Sequence, residues 1–110
     1  MLRLCVNLVL GALIWIPVLA TAADETYNIT IKDHLFVPTQ LTVPANKKVK
    51  ILIDNQDNSP EEFESHDLNR EKVIPANSKA VILVGPLKPG TYNFVGEFHE
   101  DTAKGSLLVE

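Results

Sequence analysis

Cysteine, methionine and tryptophan are almost absent from this chain of 110 residues, which has one of each. All three, Met1, Cys5 and Trp15, lie near the start, and the sequence beyond residue 22 contains none of them. That part of the chain needs no disulfide to fold, so export to an oxidising compartment would make no demand on it. It also has no thiolate or thioether to offer a metal ion.

Charge is scarce in the first 22 residues, where Arg3 precedes an almost unbroken apolar run from Leu4 to Leu19. The small residues Ala20-Thr21-Ala22 follow, in the pattern that signal peptidase cleaves. This layout predicts a secretory signal peptide over residues 1–22 and a mature domain over residues 23–110. The domain would begin at Ala23 or Asp24 and be released into the periplasm.

An uncleaved membrane anchor is the alternative interpretation of this start. The apolar run is short for a membrane span, and Pro17 interrupts it near its end. Cys5 lies too close to the start to be a lipoprotein cysteine, because no leader precedes it. We therefore expect a protein that is not integral to the membrane once the leader is removed.

Acidic residues outnumber basic ones in the predicted mature domain. Without Arg3 it keeps nine basic residues against 14 acidic ones, a net charge of −5. Such a balance argues against nucleic acid and anionic membrane surfaces as partners, and it suits cationic ligands. About 88 residues can bury one small core, so a single domain is expected.

Short strands separated by turn residues run through this domain. Tyr27, Ile29 and Ile31 alternate with polar residues, and Val49, Ile51 and Ile53 form the clearest strand. Further strands are predicted at 35–37, 40–43, 79–84, around 92–94 and at 105–109, with turns at Pro44-Ala45-Asn46 and Lys88-Pro89-Gly90. The pattern predicts an all-β sandwich.

The segment after Ser59 is ambiguous on local rules. Ser59-Pro60-Glu61-Glu62 has the features of a helix start, and a helix over residues 61–69 would last about two turns. As a strand, the same segment would place Glu61, Phe63 and Ser65 on one face and Glu62, Glu64 and His66 on the other.

Three motifs resemble the cupredoxins, a family of Greek-key β-sandwiches. The run Pro89-Gly90-Thr91-Tyr92-Asn93-Phe94 is similar to the family's last strand before its copper loop. Residues 59–63 resemble the start of the strand that carries the first histidine ligand, and residues 73–78 resemble the turn between them. The resemblance favours a strand at residues 61–65 over the helix.

The resemblance also implies an altered site. His99 stands where the loop histidine falls, Gly96 where the cysteine falls, and Glu61 where the first histidine falls. No methionine follows, since Ala103 and Lys104 occupy that stretch. A blue-copper site depends on a cysteine thiolate, which Gly96 does not supply.

Carboxylates and imidazoles are concentrated in two short runs, 61–67 and 97–101. In the cupredoxin fold both runs would lie at one end of the sandwich. Such donors suit Cu(II), Fe(II), Fe(III), Mn(II) and Zn(II), and a bound cation would relieve their mutual repulsion. The predicted metal ligands are His99, Glu61, Glu97, His66, Glu64, Asp101 and Glu62.

Several of these assignments depend on local structure. Glu97, His99 and Asp101 share one face only if the strand continues through them. His34 is interpreted as a polar residue at a strand end, and not as a ligand. Arg70 is interpreted as a solvated partner of nearby acids, with orientation of a ligating carboxylate as the alternative.

The combined pattern of 61–72 and 96–101 most resembles small periplasmic cupredoxin-like proteins tied to iron uptake. These include the cupredoxin domain of the imelysin-linked iron-uptake component and the stand-alone partner of bacterial iron permeases. The resemblance implies binding of copper and/or iron, with iron-transport components as partners. A ferroxidase that oxidises Fe(II) for a permease and a metal-free interaction module are the alternatives.

Overall fold

The computed structural model describes Gly11 and residues 25–110. The predicted signal peptide, residues 1–22, and its cleavage point therefore lie outside the described residues, apart from Gly11. Within the described part of the chain, no helix is long and apolar enough to cross a membrane.

Residues 25–110 form nine strands and one short turn of 3₁₀-helix, η1. The strands are β1 (Thr26–Lys32), β2 (Leu35–Val37), β3 (Gln40–Val43), β4 (Val49–Asn55), β5 (Glu61–Ser65), β6 (Arg70–Ile74), β7 (Lys79–Val84), β8 (Gly90–Gly96) and β9 (Lys104–Val109). The 3₁₀ turn η1 spans Glu97–His99, between β8 and β9.

Two sheets pack face to face. One has the order β2-β1-β4-β7 and the other β3-β9-β8-β5-β6. The pairs β1–β4 and β3–β9 are parallel, whereas the other paired strands are antiparallel. Mostly antiparallel sheets in which sequential strands are not always neighbours agree with the predicted Greek-key sandwich.

Apolar side chains from alternate strand positions fill the space between the sheets. Three rings, Phe36, Phe63 and Phe94, meet at its centre with centroids 4.8 to 6.3 Å apart. Ile29, Ile31 and the other inward residues around them are almost fully buried. The alternation in the sequence predicted the inward residues of the two clearest strands, and Ile29, Ile31, Val49, Ile51 and Ile53 are indeed buried.

The segment after Ser59 is a strand, so the prediction from the family resemblance is confirmed and the helix alternative is wrong. Phe63 and Ser65 are buried on one side of β5, and burial of alternate residues outweighs the local helix-start signal. The partner strand β6, which forms a hairpin with β5, was not predicted. Four of its five residues are exposed, so it lacks the alternation that marks a strand.

Candidate metal centre

Strand β5 divides its glutamates between the two faces of its sheet. Glu61 points inward with Phe63 and is 1% exposed, whereas Glu62 and Glu64 point outward. The acidic run that looked like one cluster in the sequence therefore contributes to two different environments. One is a buried pair inside the sandwich, and the other is a group of carboxylates on its surface.

The buried pair joins Glu61 to His99 of η1. Glu61 Oε2 lies 2.7 Å from His99 Nδ1. Glu61 Oε1 accepts hydrogen bonds from the backbone N–H groups of Glu62, at 2.9 Å, and Phe98, at 3.0 Å. The buried carboxylate therefore has three donors around it, which is how a protein keeps such a group inside its core.

A second imidazole covers the first. The ring of His34, in the turn between β1 and β2, stacks on His99 with centroids 3.6 Å apart and planes 13° from parallel. His34 Nδ1 lies 3.4 Å from Asp57 Oδ2. Asp57 also accepts hydrogen bonds from the backbone N–H groups of Asp33, at 2.8 Å, and His34, at 3.0 Å.

These hydrogen bonds determine the charge state of Asp57. Burial by itself would raise the pKa of Asp57, but the N–H groups of His34 and Asp33 outweigh it and hold this pKa below its usual value. The carboxylate is therefore ionised and fixes the turn between β1 and β2. Asp33 and His34 have positive φ angles of 53° and 58°, the backbone of a tight two-residue hairpin turn.

Gly96, at the end of β8, lies against the buried carboxylate. A Cβ atom built on it would lie 2.6 Å from Cδ of Glu61, 2.8 Å from its Oε2 and 2.6 Å from Cβ of Ala103. The backbone of Gly96 is ordinary extended chain, with φ −88° and ψ 107°. Glycine is needed here for space and not for conformation.

The outer carboxylate cluster consists of Glu62 and Glu64 on β5, Glu71 on β6 and Glu97 on η1. Glu62, Glu71 and Glu97 each have a carboxylate oxygen that lies within 4.8 Å of an oxygen of the other two. Glu64 sits directly opposite Glu71 across the β5–β6 hairpin. Like charges in such a pair destabilise a sheet unless something compensates for them.

Mutual repulsion and proton sharing change the acidity of this cluster. Hydrogen bonding to Glu71, followed by burial and by Glu97, raises the pKa of Glu62 to about 7. Hydrogen bonding to Glu97 is the largest cause that raises the pKa of Glu64. Among residues 25–110 the ion pairs within 4.0 Å are those of His34 and His99, so no Lys or Arg neutralises the cluster at that range.

Two further predicted ligands, His66 and Asp101, are not among the converging carboxylates. His66, exposed in the turn after β5, lines a shallow surface depression with Glu64 and Glu71. Asp101 is exposed in the turn after η1 and is not one of the converging carboxylates. Because β8 ends at Gly96 and η1 follows, the condition for Glu97, His99 and Asp101 to share a strand face is not met.

Arg70 does not orient a carboxylate. Its guanidinium donates hydrogen bonds to the backbone carbonyls of Leu83, at 2.9 Å, and Asn69, at 2.9 Å. It therefore links the edge strands β6 and β7 of the two sheets. The sequence suggested that Arg70 pairs with nearby acids or orients a ligating carboxylate. The structure shows instead that it binds backbone carbonyl groups.

Sequence reasoning missed three residues of this end of the molecule. Glu71 was missed because β6 was not predicted; with that hairpin in place, pairing opposite Glu64 follows from strand register. His34 was interpreted as a strand-end residue, although the dipeptide Asp33-His34 between two strands is itself a turn signal. Nothing near Asp57 in the sequence pointed to its contact with His34, 23 positions away.

Comparison with known proteins agrees with this architecture. The chain is 51% identical over 82 residues to the uncharacterized protein RP394 of Rickettsia prowazekii (strain Madrid E). That match covers 74% of this chain and 66% of the relative, so the chain spans slightly less than two thirds of the relative's length.

Solved structures share the fold at low sequence identity. Auracyanin A, a "blue" copper protein of Chloroflexus aurantiacus, superposes with a TM-score of 0.69 at 18% identity, covering 80% of this chain and all of that one. A variant of amicyanin in its reduced state superposes with a TM-score of 0.64 at 18% identity, covering 83% of this chain and 88% of that one. The model of the cupredoxin-like domain family matches residues 6–109, nearly the whole sequence. The chain belongs to the cupredoxin-like domain family.

Proposed function

We propose that this protein binds a divalent or trivalent metal ion through the outer carboxylate cluster. The observation that carries the proposal is the convergence of oxygen atoms from Glu62, Glu71 and Glu97 within 4.8 Å. These residues come from three different segments, β5, β6 and η1. A cation bound among them would offset the repulsion between the carboxylates, because each would then lie next to a positive charge.

The donor set favours hard or borderline cations. Carboxylate oxygens suit Fe(II), Fe(III) and Mn(II), and the nearby imidazole of His66 extends the choice to Cu(II) and Zn(II). Soft Cu(I) is disfavoured because residues 25–110 contain no cysteine or methionine. We place copper and iron first, copper from the family and iron from the resemblance of residues 61–72 and 96–101.

We further propose that the protein works in the periplasm in iron uptake, with transport components as its partners. The leader pattern of residues 1–22 supports export, and the acidic character of the mature domain supports a cationic cargo. In this role the outer carboxylate cluster would hold iron before it is passed to a permease. Its position on the surface leaves it accessible to such a partner.

Titration calorimetry of the purified protein tests the proposal, with anaerobic Fe(II), Mn(II) and Cu(II) as separate titrants. We expect one strong site, and about a tenfold or greater loss of affinity in each of E62Q, E71Q and E97Q, since each removes one charged ligand. The matched control is E110Q, an acid-to-amide change at an exposed residue outside the cluster. Absence of binding, or equal affinity in all four variants, would rule the site out.

Measuring the loss of Fe(II) under oxygen separates binding from turnover. If the protein only holds iron, the rate of oxidation in its presence will equal the rate in buffer or fall below it. A rate that exceeds that in buffer and requires Glu62 and Glu97 would instead support the ferroxidase alternative.

A metal-free interaction module is a second candidate, because the carboxylate of Glu61 and the imidazole of His99 are already engaged with each other. The calorimetric experiment distinguishes the two functions. If no metal binds and the variants of the outer carboxylate cluster keep their biological function, the module is the better description.

A further inference from the structure

A blue-copper centre does not fit the residues at the family's copper position. Gly96 has no side chain to ligate a metal, and the volume next to it is filled by Glu61 and Ala103. A cysteine Cβ at position 96 would lie closer to both neighbours than real Cβ contacts allow. The carboxylate of Glu61 is already hydrogen-bonded to His99, so the two groups satisfy each other without a metal ion between them.

We propose that Glu61 performs the structural role that copper has elsewhere in the family. Its buried carboxylate, in place of a metal ion, joins the start of β5 to the segment that follows β8. This end of the sandwich is therefore complete without a metal. The inference does not depend on metal binding by the outer carboxylate cluster.

The hydrogen bonds of Glu61 show how the link works. Two of its three donors, His99 Nδ1 and the N–H of Phe98, belong to η1, and the third is the N–H of Glu62 on β5. A metal joins segments by collecting ligands from each, and here one carboxylate collects donors from each. The stacked ring of His34 then covers His99 from the outside.

Three residue identities become mutually dependent in this arrangement. Glu61 requires glycine at position 96 and a small residue at position 103, because all three share one volume. A side chain at position 96 and a carboxylate at position 61 should exclude each other. Where the family pattern has histidine and cysteine, glutamate at position 61 and glycine at position 96 would then belong to one structural arrangement.

The tautomer of His99 provides a direct spectroscopic test. An ionised carboxylate only accepts hydrogen bonds, so Glu61 requires the proton of His99 to be on Nδ1. In E61Q the amide oxygen can still accept from the two N–H groups, and its NH₂ group then faces His99 and needs an acceptor there. At pH 8, ¹⁵N NMR of the ring should show Nδ1–H in the unchanged protein and a shift to the Nε2–H tautomer in E61Q. E110Q serves as the matched control and should leave His99 unchanged.

Hydrogen exchange tests metal independence in the unchanged protein, so the result does not rely on a variant that folds. After metal is stripped with a chelator, the N–H groups of Glu62 and Phe98 should exchange slowly. Adding one equivalent of Zn(II) should leave the ¹⁵N shifts of the His99 ring nitrogens unchanged, whether or not the outer carboxylate cluster binds the ion. Failure of the outer-cluster proposal would leave both results intact.

Two results would overturn the inference. One is rapid exchange at Phe98 in the stripped protein that slows on adding Zn(II), together with a shift of the His99 ring nitrogens. The other is an unchanged His99 tautomer in E61Q. The first would show that a metal holds this end of the sandwich, and the second would show that the Glu61 carboxylate does not hold His99 in place.

Discussion

At the scale of single residues, Asp57 shows how one carboxylate fixes a turn through backbone contacts. It accepts the N–H groups of both left-handed residues, Asp33 and His34, and lies near the His34 ring. His34 in turn stacks on His99. A chain of contacts therefore links Asp57 to Glu61 through the imidazoles of His34 and His99.

Replacing Asp57 by Asn is expected to destabilise the protein by about 1–3 kcal/mol at pH 7. The neutral amide oxygen of Asn would accept the N–H groups of Asp33 and His34 less strongly than the ionised carboxylate does. The pKa of Asp57 is lowered in the folded state. Its contribution is therefore present above the unfolded pKa and is lost as pH falls through the folded value. Urea unfolding at pH 7 and pH 2.5 should show a difference between D57N and the unchanged protein that shrinks at the lower pH.

The matched control for that experiment is D54N, on the outward face of β4. Its effect should stay within about 0.5 kcal/mol at both pH values, as is usual for surface changes. A penalty for D57N that is equal at pH 7 and pH 2.5 would contradict the ionic role of Asp57.

At the scale of elements, the hairpin β5–β6 is the feature that creates the outer carboxylate cluster. Its register places Glu64 opposite Glu71 and Glu62 opposite Val73, so acids of both strands share the outward face. The turn η1 adds Glu97 from the far side. The hairpin is therefore under electrostatic strain when its glutamates are ionised and no cation is bound.

This strain predicts a pH dependence for the metal-free protein. The pKa of Glu62 is raised in the folded state to about 7, above its unfolded value near 4.5. Stability linked to Glu62 is therefore fully present below pH 4.5 and is lost as pH rises towards 7. Thermal unfolding between pH 4.5 and 8 should show this decline, and E62Q should reduce it.

The control is E110Q, which should keep the slope of the unchanged protein. Because Asp57 acts in the opposite direction, its loss of stability falls below this window and does not mask it. If E62Q and E110Q have the same slope between pH 4.5 and 8, the raised pKa of Glu62 is not responsible.

At the scale of the whole molecule, the inference about Glu61 predicts that the sandwich folds without a metal. Its core is continuous between the sheets, and every buried side-chain polar atom within residues 25–110 has a hydrogen-bond partner. Protein stripped of metal with EDTA should therefore still unfold in one cooperative thermal transition. A protein that loses cooperativity on chelation would contradict this expectation.

Metal added to the stripped protein should then stabilise it only by mass action. At a free concentration one hundred times Kd, the gain is about 2.7 kcal/mol, provided that the ion does not bind the unfolded chain. For a domain of this size the gain corresponds to a rise in Tm of about 10–20 °C. The rise should be lost in the triple variant E62Q/E71Q/E97Q.

The sequence by itself determined the class of the fold and the absence of a thiolate ligand. Alternation of apolar residues at period two and regularly spaced turn residues are local properties, so β1, β4, β7 and β9 could be read directly. The lack of cysteine beyond residue 22 is equally local, and so is the dense run of acids at 61–64.

Only the tertiary structure decided which acids belong together. Glu61 and Glu62 are neighbours in the chain, yet one is buried against Gly96 and His99 while the other meets Glu71 and Glu97 outside. The pleat of β5 sends successive side chains to opposite faces, and the register with β6 and the turn at η1 determine what each one meets. Those contacts span up to 38 positions of sequence, a distance over which local patterns carry no information.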